Sequence, residues 1–197
     1  TDDANMPQLR GQILRTLGSL EDKEIIDQAN VYFDAFLKDN KALPAELRSI
    51  VLAIVAQQAD EKRWQQIYEL AQNAKSVVEQ QQYYALLASR KNETLAKKTL
   101  LVAMDPKTPE TLRSAILGGV AFNYPMIVFD FWMDHYDWLM SFIEPNVRFR
   151  FIPPMVSWSH ALAMLGKHDA YAKKYVPVSW IQLDDKTTPT IQTNQHD

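Results

Sequence analysis

Residues 44–71 read PAELRSIVLAIVAQQADEKRWQQIYELA, and this stretch decides the fold class. Its apolar side chains recur three and four positions apart, which is the spacing of one face of an α-helix. Pro44 can begin one helix, because proline suits the first turn, and Asp60 can cap the next with its carboxylate. The predicted inward side chains are Leu47, Ile50, Val51, Ile54, Val55, Trp64, Ile67, Tyr68 and Ala71. The stretch therefore predicts two helices joined by a short polar break.

The same pattern extends in both directions and predicts four helix pairs, over residues 6–37, 44–74, 76–103 and 109–143. Breaks of about two to six residues force consecutive helices to lie antiparallel. A period of roughly 30 to 40 residues per pair is typical of HEAT and armadillo repeats. We therefore predict an all-α fold in which antiparallel helix pairs stack as a HEAT/armadillo-like α-solenoid. An irregular globular array of the same pairs is the alternative.

Local signals predict where these helices begin and end. Gly18 is expected to end the first helix, and Pro125 to begin the eighth and longest, which runs to Ile143. The other predicted starts are Ser19 with Asp22, Ser76 with Glu79, Asn92, and Thr108-Pro109. The stripes predicted to face inward include Leu9, Ile13, Leu14 and Leu17 of the first helix, Val77 of the fifth, and Leu112, Ala115 and Ile116 of the seventh.

Shorter elements are predicted beyond residue 143. A short helix is predicted over residues 146–152, stopped by Pro153-Pro154, and another over 158–165, ended by Gly166; a last turn or two could follow over 168–175. Residues 1–182 are thus predicted to be one helical-repeat domain. Residues 183–197 are polar and are expected to be mobile or docked through polar contacts alone.

Composition excludes several classes of function. The 197 residues carry a net charge of −3, which is unsuited to gripping nucleic acid. The longest apolar run, 127–143, is interrupted by aspartates, so no membrane span is expected. The chain has no cysteine and five glycines, and it lacks the glycine-rich loops that bind nucleotide phosphates. It opens on Thr1 without a signal segment, and we expect it to be a piece of a longer protein.

Catalytic and metal-binding patterns are also missing from the sequence. None of the four histidines forms a His-Glu-x-x-His zinc pair, and no Gly-x-Ser-x-Gly motif is present. The sharpest candidate is Asp130, Asp134 and Asp137, which would share one face of the eighth helix beside His135. They could form an acidic wall for a cationic ligand. The alternative is an ordinary polar face opposite the apolar stripe of that helix.

Several stretches of this sequence are similar to stretches that occur in the same order in one family of proteins. They are Leu9-Arg10-x-x-Ile13-Leu14-x-x-Leu17-Gly18, Pro44-Ala-Glu-Leu-Arg48-x-x-Val51, Tyr84-Ala-Leu-Leu-Ala88-Ser89-x-x-Asn92-x-x-Leu95, then Arg113, Val120-Ala121-x-Asn123 and Phe129-x-Phe131-Trp132. Together they resemble the C-terminal helical domain of the gluzincin zinc aminopeptidases, which include aminopeptidase N and the puromycin-sensitive and endoplasmic-reticulum aminopeptidases. Tyr124-Pro125-Met126 departs from the pattern, since the family often has glycine there.

This resemblance implies a domain that lacks catalytic residues of its own. The zinc and its His-Glu-x-x-His helix would belong to a preceding catalytic domain, and this domain would cover the active-site chamber and control peptide access and binding. The residues expected to contact a peptide substrate are Arg113, Asn123, Tyr124, Asp130, Asp134 and Asp137. Arg113 could meet a peptide carboxylate or pair with Glu110 one turn earlier. A free-standing helical-repeat adaptor that binds a protein partner is the alternative function.

Overall fold

The computed structural model describes residues 6–89 and 91–144, and their side chains from residue 9 onward. These residues form helices and connecting turns and include no strand. The helices are α1 (Met6–Ser19), α2 (Lys23–Lys38), α3 (Ala45–Gln57), α4 (Glu61–Gln72), α5 (Val77–Leu87), α6 (Glu93–Met104), α7 (Glu110–Asn123), α8 (Pro125–Asp134) and α9 (Tyr136–Phe142). The predicted all-α class is confirmed. The short helices predicted after residue 143 and the tail 183–197 lie outside the described residues.

The packing of α1 to α7 follows a two-layer pattern. Each of these helices packs against the next one along the chain, as expected for antiparallel neighbours joined by short turns. In addition α1 packs on α3, α3 on α5, and α5 on α7. The odd-numbered helices therefore form one continuous layer, and the even-numbered helices cover it. This is the solenoid-like arrangement that the sequence predicts.

Four helices begin with a side-chain cap. In each case an oxygen of the N-cap residue accepts a hydrogen bond from the backbone N–H three residues later, which satisfies a donor that the helix leaves free. The pairs are Asp22 with Ile25 at 3.0 Å, Asp60 with Arg63 at 2.8 Å, Ser76 with Glu79 at 3.2 Å, and Asn92 with Leu95 at 3.0 Å. The starts predicted at Asp60, Ser76 and Asn92 are thus confirmed. Ser19, by contrast, belongs to the last turn of α1.

The end of α1 differs from the prediction. Glu21, and not Gly18, has the left-handed backbone, with φ of 62°. The Asp22 N–H donates to the Leu17 carbonyl at 3.0 Å and the Glu21 N–H to the Gly18 carbonyl at 3.2 Å, which is the Schellman pattern of a helix end. Gly18 has a different role. A Cβ there would lie 2.7 Å from Cγ1 of Ile54, so its missing side chain allows α1 to approach α3 closely.

Glycine also explains how other odd-numbered helices pack. A Cβ on Gly11 would lie 3.0 Å from Cδ1 of Ile50, and one on Gly119 would lie 3.0 Å from the Cβ of Ala88 at the end of α5. Because α1 meets α3 through its glycines, its larger side chains are displaced outward. Leu9 and Ile13 are each 49% exposed, and their predicted inward placement is wrong. Val77 and Ala115 are also exposed, contrary to prediction.

Two buried threonines form hydrogen bonds within and around α6. The indole Nε1 of Trp64 in α4 donates to Oγ1 of Thr99 in α6 at 3.0 Å, and the Thr99 hydroxyl lies 2.8 Å from the Leu95 carbonyl. Thr108 was predicted to cap α7, but its hydroxyl donates to the Val102 carbonyl at 2.7 Å. Pro109 occupies the N-cap position of α7 instead. The Thr108 side chain thus closes the turn after α6, where burial demands a hydrogen-bond partner.

The predicted long helix from Pro125 to Ile143 is wrong. Its backbone leaves the helical conformation at His135, where φ is −121° and ψ is 29°, and α9 begins at the next residue. The new helix start places Asp137 in a first turn, where the helix dipole favours a negative charge. The chain also divides into two compact units after Phe131, so α1 to α7 belong wholly to the first unit.

Candidate substrate-contacting residues

Arg113 and Asn123 both belong to α7. Both are partly buried. The ten residues from 113 to 123 correspond to about 15 Å along a helix axis at a rise of 1.5 Å per residue. The structure therefore places the two residues on one helix without bringing them into one site. It records no ion pair between Arg113 and Glu110 among the described residues.

Tyr124 forms the corner between α7 and α8. Its backbone N–H donates to the Val120 carbonyl at 2.9 Å, and its own carbonyl accepts from the Val128 N–H at 3.1 Å. Its φ of −135° and ψ of 60° are not helical, as expected for a residue that precedes a proline. The Tyr124 backbone is therefore fixed from both sides, and Asn123 is held immediately before this corner.

The three aspartates are exposed, but they do not share one helix. Asp130 and Asp134 lie one turn apart in α8, whereas Asp137 lies in α9 after the break at His135. The predicted single acidic face is therefore wrong for Asp137. Asp130 belongs to the first compact unit, and Asp134 and Asp137 belong to the second. Within the described ranges, no group of three or more histidine and carboxylate side chains could hold a metal ion.

A partly buried polar pair between the helices serves the fold. The Tyr68 hydroxyl in α4 donates to the Asp105 carboxylate at 2.7 Å. Burial, together with this hydrogen bond, raises the pKa of Tyr68. The pKa of Asp105 is lowered, first by the backbone N–H of Lys107 and then by the Tyr68 hydroxyl. The bond therefore joins a neutral phenol to an ionised carboxylate and ties α4 to the end of α6.

Two clefts were missed by the sequence reasoning. One, of about 360 Å³, lies at the ends of α1, α3 and α5, and Glu21, Gln57 and Lys91 are among its lining residues. The other, of about 200 Å³, includes Arg48 and Tyr83. None of the six predicted contact residues lines either cleft. Each cleft is assembled from helix ends that lie far apart in sequence, so periodicity within one helix gives no signal for it.

No helix in the described part of the chain is both long and apolar enough to cross a membrane. A search of the curated proteins found no match to this chain. The family model named "ERAP1-like C-terminal domain" matches residues 1–167, which is most of the 197 residues. This match agrees with the helical layers described above and with the resemblance in the sequence. The chain therefore belongs to the family of ERAP1-like C-terminal domains, the C-terminal helical domains of aminopeptidases.

Proposed function

We propose that this chain covers the active-site chamber of a zinc aminopeptidase and controls the access and binding of peptides. The observation that carries the proposal is the family match over residues 1–167 of a chain whose helices stack in two layers. Stacked helix pairs offer an extended surface to a neighbouring domain or a peptide. In this proposal the zinc and the reacting groups belong to the catalytic domain of the same polypeptide. This chain contributes positioning and the exclusion of water.

Within this proposal, α7 and the corner that follows it contact the peptide. Arg113 would offer a guanidinium to a peptide carboxylate, and a charge-assisted bond of this kind is stronger than a neutral one. Asn123 and Tyr124 would offer an amide and a phenol close to the corner. Asp130, Asp134 and Asp137 are exposed carboxylates that would suit basic peptide side chains.

The test compares peptide lengths in the full aminopeptidase polypeptide. Arg113→Ala is expected to raise KM for long peptides and to leave KM for a dipeptide-sized substrate unchanged, because only a long peptide reaches a contact remote from the zinc. The matched control is Arg15→Ala, which removes an exposed arginine of α1. If Arg113→Ala changes both KM values equally, the proposed contact is rejected. The 197-residue chain alone should bind no stoichiometric zinc and hydrolyse no amino-acyl amide.

A further inference from the structure

The smaller cleft lies where two helix-helix connections meet. Phe36 and Leu37 come from the end of α2, Arg48 from the first turns of α3, and Leu70 from the end of α4. Lys75, Glu79 and Tyr83 come from the start of α5 and the residues just before it. The cleft thus combines an apolar wall with two cations, one carboxylate and a phenol. Its volume of about 200 Å³ is smaller than a typical drug-binding pocket.

Contacts with neighbouring groups hold the Arg48 side chain in place. Its guanidinium carbon lies 5.4 Å from the centre of the Phe36 ring, and its Nη2 donates to the Asn40 carbonyl at 3.1 Å. Its Nε is buried and has no hydrogen-bond partner. Among the ion pairs formed by the described residues, none includes Arg48. A bound anion would stabilise this half-buried guanidinium, because it would replace the hydrogen bonds to water that burial has removed.

Glu79 lies in the same cleft, but it forms hydrogen bonds with residues at the start of α5. Its Oε2 accepts from the Lys75 N–H at 3.3 Å, and its own N–H donates to Oγ of Ser76 at 3.2 Å. The second bond caps α5, and the first holds the Glu79 carboxylate against the residue that precedes the N-cap. The Glu79 carboxylate therefore stabilises a helix end and does not pair with Arg48. The cleft contains two positively charged side chains, Arg48 and Lys75, and one negatively charged side chain, Glu79. Its net charge is therefore +1.

Tyr83 adds a neutral donor to the cleft. It is 6% exposed, and this burial, with the negative charge of Glu79, raises the pKa of Tyr83 despite the opposing effect of Arg48. Its hydroxyl is therefore protonated at neutral pH. A guanidinium and a phenol together form a donor set suited to a carboxylate. A dianion is disfavoured, because Glu79 lies in the same cleft and the spare charge is a single one.

We propose that this cleft binds a small aliphatic carboxylic acid as its anion. Its carboxylate would accept hydrogen bonds from Arg48 and Tyr83, and its carbon chain would lie against Phe36, Leu37 and Leu70. The volume fits this class of ligand, because one water occupies about 30 Å³ of liquid and the cleft therefore accommodates about seven non-hydrogen atoms. Pentanoate and hexanoate are of this size. This site is separate from the peptide contacts proposed on α7 and does not depend on them.

The test is an NMR titration of the ¹⁵N-labelled full chain at pH 7 with hexanoate and with hexanamide. Hexanoate should give saturable shifts at the backbone amides of Lys75 and Tyr83, with a Kd on the order of 1 mM. Hexanamide has the same shape without the charge and should bind at least tenfold more weakly. Equal binding of the two compounds, or no saturable shift with hexanoate, would overturn the proposal.

Variants locate the binding in the cleft. Arg48→Gln should weaken hexanoate binding at least tenfold, since it removes the cation that pairs with the carboxylate. Arg15→Gln, an exposed arginine of α1 outside the cleft, should leave the affinity unchanged. Wild-type affinity in Arg48→Gln would refute the assignment. If Arg48→Gln does not fold, the comparison of hexanoate with hexanamide on the unaltered chain decides, and Tyr83→Phe should weaken hexanoate binding severalfold.

Discussion

The contact between Gly18 and Ile54 predicts that alanine at position 18 destabilises the chain. A Cβ on Gly18 would lie 2.7 Å from Cγ1, 3.2 Å from Cγ2 and 3.3 Å from Cδ1 of Ile54. Ile54 is 3% exposed and β-branched, so its side chain has little freedom to move away. Overpacking of this kind costs about 1–3 kcal/mol. Alanine in place of glycine also stabilises a helix by about 0.5–1 kcal/mol, so the net destabilisation lies between about 0 and 2.5 kcal/mol, and the middle of both ranges gives about 1 kcal/mol.

Gly118→Ala is the matched control for this change. Gly118 also lies inside a helix, but nothing lies within 4 Å of the position of its Cβ. The control variant should therefore be more stable than the wild type by about 0.5–1 kcal/mol, from helix propensity alone. Urea unfolding followed by far-ultraviolet circular dichroism gives both free energies of unfolding. If Gly18→Ala is as stable as Gly118→Ala, the close approach of α1 to α3 is not as described.

A double-mutant cycle tests the same contact through its partner. Ile54→Ala removes all three atoms that a Cβ at position 18 would meet, at an expected cost of about 2–5 kcal/mol by itself. In that background Gly18→Ala should become neutral or stabilising, because the clash is gone and the propensity gain remains. The coupling free energy should then be about 1–3 kcal/mol. An unchanged cost of Gly18→Ala in the Ile54→Ala background would refute the reasoning.

Two further changes test the helix end and an ion pair. Glu21→Gly should raise the free energy of unfolding by about 1 kcal/mol, since glycine adopts the positive φ of 62° without a Cβ penalty, whereas Glu21→Ala should leave it unchanged; urea unfolding distinguishes the two. Asp34, whose Oδ2 accepts from Nη2 of Arg63 at 3.0 Å, has its pKa lowered by that hydrogen bond. Its stabilising effect is therefore present above its unfolded pKa of about 3.9 and is lost as the pH falls through the lower folded value. Because this carboxylate is 51% exposed, Asp34→Asn should cost only about 0.2–1 kcal/mol at pH 7 and progressively less as the pH falls through the folded pKa, and a cost that does not decrease at low pH would contradict the assignment.

The helix starts were predictable because a cap is a local interaction. Asp60, Ser76 and Asn92 each bond an N–H three residues away, so a short window of sequence contains both partners. Gly18 was misread because glycine suits both a helix end and a close helix contact. The atom that distinguishes the two uses belongs to Ile54, in a different helix. A sequence window around residue 18 does not include it.

The residues of the smaller cleft were harder to predict for the same physical reason. Glu46 and Arg48 are close in the sequence, a pattern typical of a solvated helix surface. In the structure Arg48 packs over Phe36 and lines a cleft whose other walls come from α4 and α5. The break at His135 was likewise missed, because apolar spacing continues across it and only the backbone changes direction. Contacts between helices, and not the pattern within any one of them, determine the walls of the cleft.

The layered packing separates effects on stability from effects on function. In a stack of helix pairs, each helix contacts its near neighbours, so a change in one pair affects distant pairs only through global unfolding. Gly18 lies on α1 against α3, whereas Arg113 lies on α7, which packs on α5 and α6. Under folding conditions, a change at Gly18 alters how much protein is folded but not how α7 meets a peptide. A length-dependent KM caused by Arg113→Ala therefore has its origin at α7, because a loss of folded protein would lower the activity on all peptide lengths alike.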